Sequence, residues 1–291
     1  MTQIVLQHYE KPAARRHLWI GLLMAVIALA FGIEQAVQWL AAHPQAARGL
    51  LASLLAGAAT GLGALPVLLL RRPSQRLMAP MLGLAGGMML AASLFSLLVP
   101  AVQTVANSDA PWLLGSLTAA ALLAGVAGMQ LLDRRLPHAH VETVEGSGLM
   151  PNVALVVAAI ALHNLPEGLA VGVAAAAGAD HGMSLGIALQ NIPEGWIVAS
   201  AMVALGAAPV RAALLALGTG LVEQVGGLFG VIASTLAGAA LPLALAAAAG
   251  AMLWVVSHEM IPASHRPGRI GAGTAGLAAG FAVMTTLASV F

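Results

Sequence analysis

Cysteine is absent from the 291 residues, which excludes a disulfide framework and any thiolate metal site. Metal ligands in such a chain are drawn from imidazole, carboxylate, amide and thioether groups. Charge is almost as scarce: Asp, Glu, Lys and Arg make up 8% of the chain against 60% hydrophobic residues, and the mean hydropathy is +0.92. That is too little polar surface to cover a water-soluble globule of this length, so the outside must be lipid. The formal net charge of +1 supplies no basic field, and no nucleic-acid partner is expected.

What is present is a series of long apolar stretches. A hydrocarbon core about 30 Å thick takes roughly 20 helical residues to cross. Nine stretches of that size lie near residues 18–41, 47–70, 78–103, 110–132, 149–177, 183–205, 211–238, 241–263 and 270–290. With a cytoplasmic N-terminus and nine spans, Lys11, Arg15, Arg16, Arg71, Arg72, Arg76, Arg134, Arg135, Arg211, Arg266 and Arg269 all fall inside, and only Arg48 falls outside. Short loops rich in Lys and Arg stay in the cytoplasm, so this bias predicts an all-α polytopic protein of nine spans, N-in and C-out, in the plasma (bacterial inner) membrane.

The expected organisation is a cytoplasmic segment 1–17, an extra N-terminal span 18–41, and an eight-span domain 47–291 with a cytoplasmic loop 133–148. Arg15-Arg16 ahead of an apolar run is also how a signal peptide begins. The run from Leu18 to Leu40 exceeds a usual signal core, however, and Ala41-Ala42-His43 is a poor cleavage site, which favours a retained span. The loop carries His138, His140, Glu142 and Glu145; it reads either as a solvated polar segment or as a weak collector of ions. Glycines cluster at Gly57, Gly61 and Gly63, at Gly83, Gly86 and Gly87, and at Gly218, Gly220, Gly226, Gly227 and Gly230, where they let apolar helices approach closely.

Chemistry concentrates in two copies of one polar motif, His163-Asn164-Leu165-Pro166-Glu167-Gly168 and Gln190-Asn191-Ile192-Pro193-Glu194-Gly195. In each, the first residue and the Glu are four apart and share one helical face. Glu167, Glu194, Glu223 and Glu259 all lie deep in predicted spans, whereas every Lys and Arg sits at a boundary, so the counter-charge must be protons or bound cations. Neutral imidazole and carboxylate are a ligand set for Zn²⁺ and similar divalent ions. A lone buried histidine is ordinarily structural; recurrence of the spacing one helix on argues against that here. Pro166 and Pro193 each remove a backbone donor and are expected to kink their helices at the polar site.

The ordered set of these motifs, with Glu223 in Gly-Leu-Val-Glu-Gln-Val-Gly-Gly, Ser257-His258-Glu259-Met260-Ile261-Pro262 later, and Gly86-Gly87-Met88-Met89-Leu90-Ala91-Ala92-Ser93 earlier, resembles the bacterial branch of the ZIP (Zrt/Irt-like) metal transporters from about residue 47 to the end. The resemblance implies an eight-helix core and a binuclear metal site. Its first position would use His163, Glu167, Gln190 and Glu194, with Met89 as a thioether ligand. The second would use Asn164, Asn191 and Glu223, bridged by Glu167 and Glu194. His258, Glu259 and His265 would line an exit route; by the residues alone they equally read as a polar helix end.

Many relatives have His in place of Gln190, and some have Asp in place of Asn191. An amide is a neutral and weaker ligand, so the second position is expected to bind less tightly. The implied function is movement of divalent transition metals, Zn²⁺ foremost with Cd²⁺, Fe²⁺ and Mn²⁺ as rivals, into the cytoplasm by an elevator-like motion. No cofactor is expected, and a homodimer is open to such a protein. Two other classes fit the sequence less well. An intramembrane metal hydrolase lacks a His-Glu-x-x-His motif, and a proton-coupled organic solute carrier gives no reason for paired His/Gln ligands.

Overall fold

A computed structural model describes residues 24, 30–32, 34–35, 37–69, 75–135, 153–176, 178, 182–236 and 240–290. Those described are helical apart from short turns, with no strand among them. The chain divides into two units, Met1–Ala47 and Arg48–Phe291. In the first, the described residues of the expected 18–41 span are all helical. Lys11, Arg15, Arg16, Arg71 and Arg72, and the loop residues His138, His140, Glu142 and Glu145, lie outside the described residues.

The helices are α1 (Pro44–Ala64), α2 (Gln75–Ala91), α3 (Pro111–Arg135), α4 (Val153–Ala176), α5 (Met183–Ala204), α6 (Pro209–Gly220), α7 (Glu223–Leu236), α8 (Leu241–Val255) and α9 (Ile270–Val290). Several begin on proline, at Pro44, Pro111 and Pro209 and, one residue in, Pro242. There the missing amide costs nothing and the fixed φ is already helical. Arg134 and Arg135 close α3, where cations favour the negative end of the helix dipole. Gly206, at φ +89°, ends α5 in a left-handed turn, with Ala207 N–H returning 3.0 Å to the Met202 carbonyl.

Among the described residues, six segments are long and apolar enough to cross a membrane: Pro44–Leu69, Arg76–Ala106, Pro111–Arg135, Pro209–Ala233, Leu241–Ser264 and Ile270–Val290. The two helices carrying the twin motifs, α4 and α5, run 24 and 22 residues, which also suffices to cross. The stretch expected as one helix over 211–238 is instead broken at Leu221–Val222 into α6 and α7.

Two other spans widen into π-helix. After α2 comes Ala92–Leu98, then α-helix again to Ala106; after α8 comes Val256–Met260, then Ile261–Ser264. Each π segment ends two residues before a proline, Pro100 or Pro262. The ring would collide with the carbonyl one turn back, at Ser96 or His258, and a wider turn relieves that contact. Pro80, Pro166 and Pro193, in contrast, sit inside uninterrupted α-helix.

Lipid offers no hydrophobic force between helices, so close backbone packing must hold them. Glycines supply it. A Cβ at Gly276 or Gly280 of α9 would strike the Pro80 or Leu84 carbonyl of α2, and one at Gly83 would strike the Gly273 carbonyl in return. The pair α3 and α8 meets the same way at Gly125 against Ala247 and Gly250 against Leu122, and α4 and α7 at Gly172 against Gly227 and Gly226 against Leu165. Between these pairs lies a buried core of Met88, Met89, Leu97, Val171, Ile187 and Met252. Gly276→Ala will therefore lower the unfolding temperature in detergent by the equivalent of about 1–3 kcal/mol of overpacking. Gly128→Ala, inside α3 where an added Cβ meets nothing within 4 Å, will not lower it.

Candidate metal centre

Each twin motif is seated against a neighbouring helix by close contact at its glycine. A Cβ at Gly168 would strike the Glu223 carbonyl at the head of α7, and one at Gly195 would strike the Thr60 carbonyl of α1. The glycine after each Pro-Glu thus seats its helix against a neighbour one residue from the carboxylate. Because α6 ends before Glu223, that residue opens a new helix. A carboxylate in the first turn of a helix is favoured by the dipole, and broken backbone at this depth is tolerated where protein buries it.

Asn164, Glu167, Gln190, Asn191, Glu194 and Glu223 are all buried. Gln190 Nε2 donates to Glu167 Oε1 at 2.7 Å. Asn191 Nδ2 donates to Glu223 Oε1 at 2.6 Å and to the Ala56 carbonyl at 2.8 Å. His163 Nε2 meets the carboxylate of Glu259, in the π segment after α8. Glu167 lies within electrostatic range of both Glu194 and Glu223. Among the described residues no three His, Asp or Glu side chains close into a cluster able to hold a metal ion. The amides of Gln190 and Asn191 each meet one carboxylate instead, Glu167 and Glu223.

Each amide spends its N–H on a carboxylate and leaves its oxygen over. Asn164 Oδ1, Glu167 Oε2, Gln190 Oε1, Asn191 Oδ1, Glu194 Oε1 and Glu223 Oε2 are buried without a hydrogen-bond partner. An unsatisfied buried acceptor costs about 1–3 kcal/mol, and the buried residues described include no Lys or Arg. Oxygen acceptors in such number, beside an imidazole, suit a divalent cation.

The other expected residues divide. Met89 is buried in the apolar core, its carbonyl accepting from Ser93 Oγ at 2.8 Å. His258 stacks on Trp254 with ring centroids 4.5 Å apart. His265 Nδ1 lies 2.8 Å from Ser264 Oγ, and its Nε2 lies 3.0 Å from Thr274 Oγ1 of α9, an arrangement that joins two helices. Of the three residues grouped on an exit route, Glu259 meets the twin motifs, through His163. Sequence spacing gave no signal for that pairing, nor for the Ala56 carbonyl as a partner of Asn191.

Residues 134–288 match the family model described as ZIP Zinc transporter. The chain is 48% identical over 247 residues to the zinc transporter GufA of Myxococcus xanthus, covering 82% of this chain and 97% of that protein. It is 45% identical over 237 residues to the zinc transporter ZIPB of Bordetella bronchiseptica, covering 79% and 77% respectively. It is 33% identical over 224 residues to the zinc transporter ZupT of Escherichia coli, covering 73% and 85%. The family match contains α4 to α8 and all but the last two residues of α9, and so both motifs, Glu223 and Glu259; Ala56 and Met89 lie before it.

Replacing Gln190 by Leu strips Glu167 Oε1 of its donor in a buried setting. The metal-free protein is expected to lose about 1–3 kcal/mol, read as a lower unfolding temperature in chelator-containing detergent.

Proposed function

The chain belongs to the ZIP zinc transporter family, and on that premise we propose that its buried carboxylates carry divalent transition-metal ions, zinc foremost, across the bacterial inner membrane. It is a multi-pass transporter and not an enzyme. The observation that carries the reading at this site is the set of buried oxygens without protein partners, gathered where no buried basic residue is found among those described.

The ion's first position takes His163, Glu167, Gln190 and Glu194, with Met89 as a thioether ligand. Two carboxylates balance one divalent charge, which lowers the penalty of holding a cation in a low-dielectric interior. His163 is held by Glu259 in the structure, so binding exchanges one negatively charged partner for the ion. Cd²⁺, Fe²⁺ and Mn²⁺ compete to the extent that they accept the same oxygen-rich set.

Movement is into the cytoplasm and elevator-like. Two features support the elevator-like motion. The motif helices α4 and α5 are joined to α1 and α7 by Asn191, Gly168 and Gly195, which favours their moving together. Outside that group, α2 packs on α9 and α3 on α8 through their own glycine contacts. The distribution of Lys and Arg supports nine spans with the N-terminus inside.

In proteoliposomes loaded with an outward-to-inward zinc gradient, the wild-type chain will take up radioactive zinc. His163→Ala and Glu194→Ala will each reduce uptake at limiting zinc by at least about tenfold, the equivalent of roughly 1.4 kcal/mol of ligand binding. Equal uptake by the wild type and both variants would remove these residues from the path. Competition by Cd²⁺, Fe²⁺ and Mn²⁺ in the same assay ranks the ions.

A further inference from the structure

A cleft of about 460 Å³ lies where α3, α4, α7 and α8 face one another. It falls between two closely packed pairs, α3 with α8 at Gly125 and Gly250, and α4 with α7 at Gly172 and Gly226. Its floor includes the buried Pro166, Gly226 and Met129, whereas Leu131 and Phe229 on its rim are 55% and 58% exposed. From α4 it takes Leu165 and Leu169, which stand on the other side of that helix from His163 and Glu167. The cleft therefore backs the first motif and does not enter the metal centre.

Its chemistry is one-sided. Twelve of the thirteen described residues that line it are apolar, and the thirteenth is Arg135, exposed at the end of α3. Gly125, at the other end of the α3 wall, precedes Arg135 by ten residues, about 15 Å of helix. That is half of a hydrocarbon core about 30 Å thick. The cleft thus has the depth of one leaflet, with its charge at the water boundary.

An apolar void forfeits dispersion contacts along its walls, and a water there would find too few polar partners. At this depth the groups at hand to fill it are lipid acyl chains. Arg135 at the mouth adds a planar fork of donors suited to phosphate oxygens and a charge that favours a net-negative headgroup. A second cleft, of about 360 Å³ between α1 and α6, gives the contrast: its described lining, Leu62 and Leu214 included, is wholly apolar and offers a headgroup nothing.

We propose that the cleft between the α3–α8 and α4–α7 pairs binds one anionic phospholipid, an acyl chain lying along Met129, Leu165 and Phe229 and the phosphate meeting Arg135. The site stands on its own geometry; only its assignment to the cytoplasmic leaflet rests on the topology in the proposed function. A chain held there fills the space behind the first motif helix.

The experiment titrates the full chain in detergent with phosphatidylglycerol or phosphatidylcholine of identical acyl chains and counts bound lipid by native mass spectrometry. The wild type will bind one phosphatidylglycerol about fivefold more tightly than phosphatidylcholine, the contribution of one basic residue near an anionic surface. Arg135→Gln will bind the two alike. Gly128→Leu, which adds bulk to the α3 wall of the cleft, will weaken both by at least about tenfold, the loss of roughly two buried methylenes. Arg76→Gln, on α2 and outside the lining, will match the wild type. Equal binding of both lipids by the wild type would overturn the site, as would an Arg76→Gln effect as large as that of Arg135→Gln. The chain has no cysteine, so oxidation of Gly128→Cys in membranes reports a second copy over the cleft; a cross-linked dimer would overturn the lipid as occupant. If Gly128→Leu fails to fold, the two arginine variants decide. Zinc enters none of these arms, so failure here leaves the metal reading intact, and absence of zinc uptake leaves the lipid site standing.

Discussion

A carboxylate placed among apolar helices needs a donor or a cation within reach, because lipid provides neither. Much of the centre follows from that constraint. Glu167, Glu223 and Glu259 are each met by a side chain that can donate, namely Gln190, Asn191 and His163. Those donors come from two helices, and meeting their carboxylates requires four helices to converge. The oxygens left over after each pairing point to where a mobile cation is worth most. The same amides thus hold the carboxylates by their N–H ends and leave their oxygens without a protein partner.

The partners also explain why the two motifs are unequal. His163 in the first copy reaches across to α8's π segment, while Gln190 in the second copy reaches back to the first motif's own carboxylate. The first copy therefore links the motif helices to a helix outside their group, and the second binds that group internally. An imidazole in one copy and an amide at the equivalent position of the other thus separate a contact that leaves the motif helices from one made between them.

Much of this was legible in the sequence. Scarcity of charge and the one-sided basic residues pointed to a membrane protein, and the spacing of His163, Glu167, Gln190 and Glu194 pointed to a shared site. Three features were not legible for physical reasons. The break before Glu223 lies in a stretch whose hydropathy runs on through Leu221, Val222 and Val225, so only the surrounding glycines hinted at a weak helix. The π segments alter the count of residues per turn, which rotates Glu259 relative to any regular helical projection, and only Pro100 and Pro262 mark them. The pairing of His163 with Glu259 is a contact between residues far apart in the chain, and no local spacing encodes it. The orientation of an Asn or Gln amide is likewise set by its neighbours in space.

The glycine contacts carry a meaning beyond fit. Where a Cβ at Gly168, Gly195, Gly250 or Gly276 would strike a carbonyl oxygen, the glycine instead directs its α-hydrogen along that same line. Each is a Cα–H···O=C interaction, individually about 0.5–1 kcal/mol. Such bonds are made wholly by backbone, need no rotamer to be chosen, and lose nothing to competing water inside a bilayer. The assembly is in that sense fastened by a main-chain polar lattice running between helices, as a sheet is, although it contains no strand among its described residues.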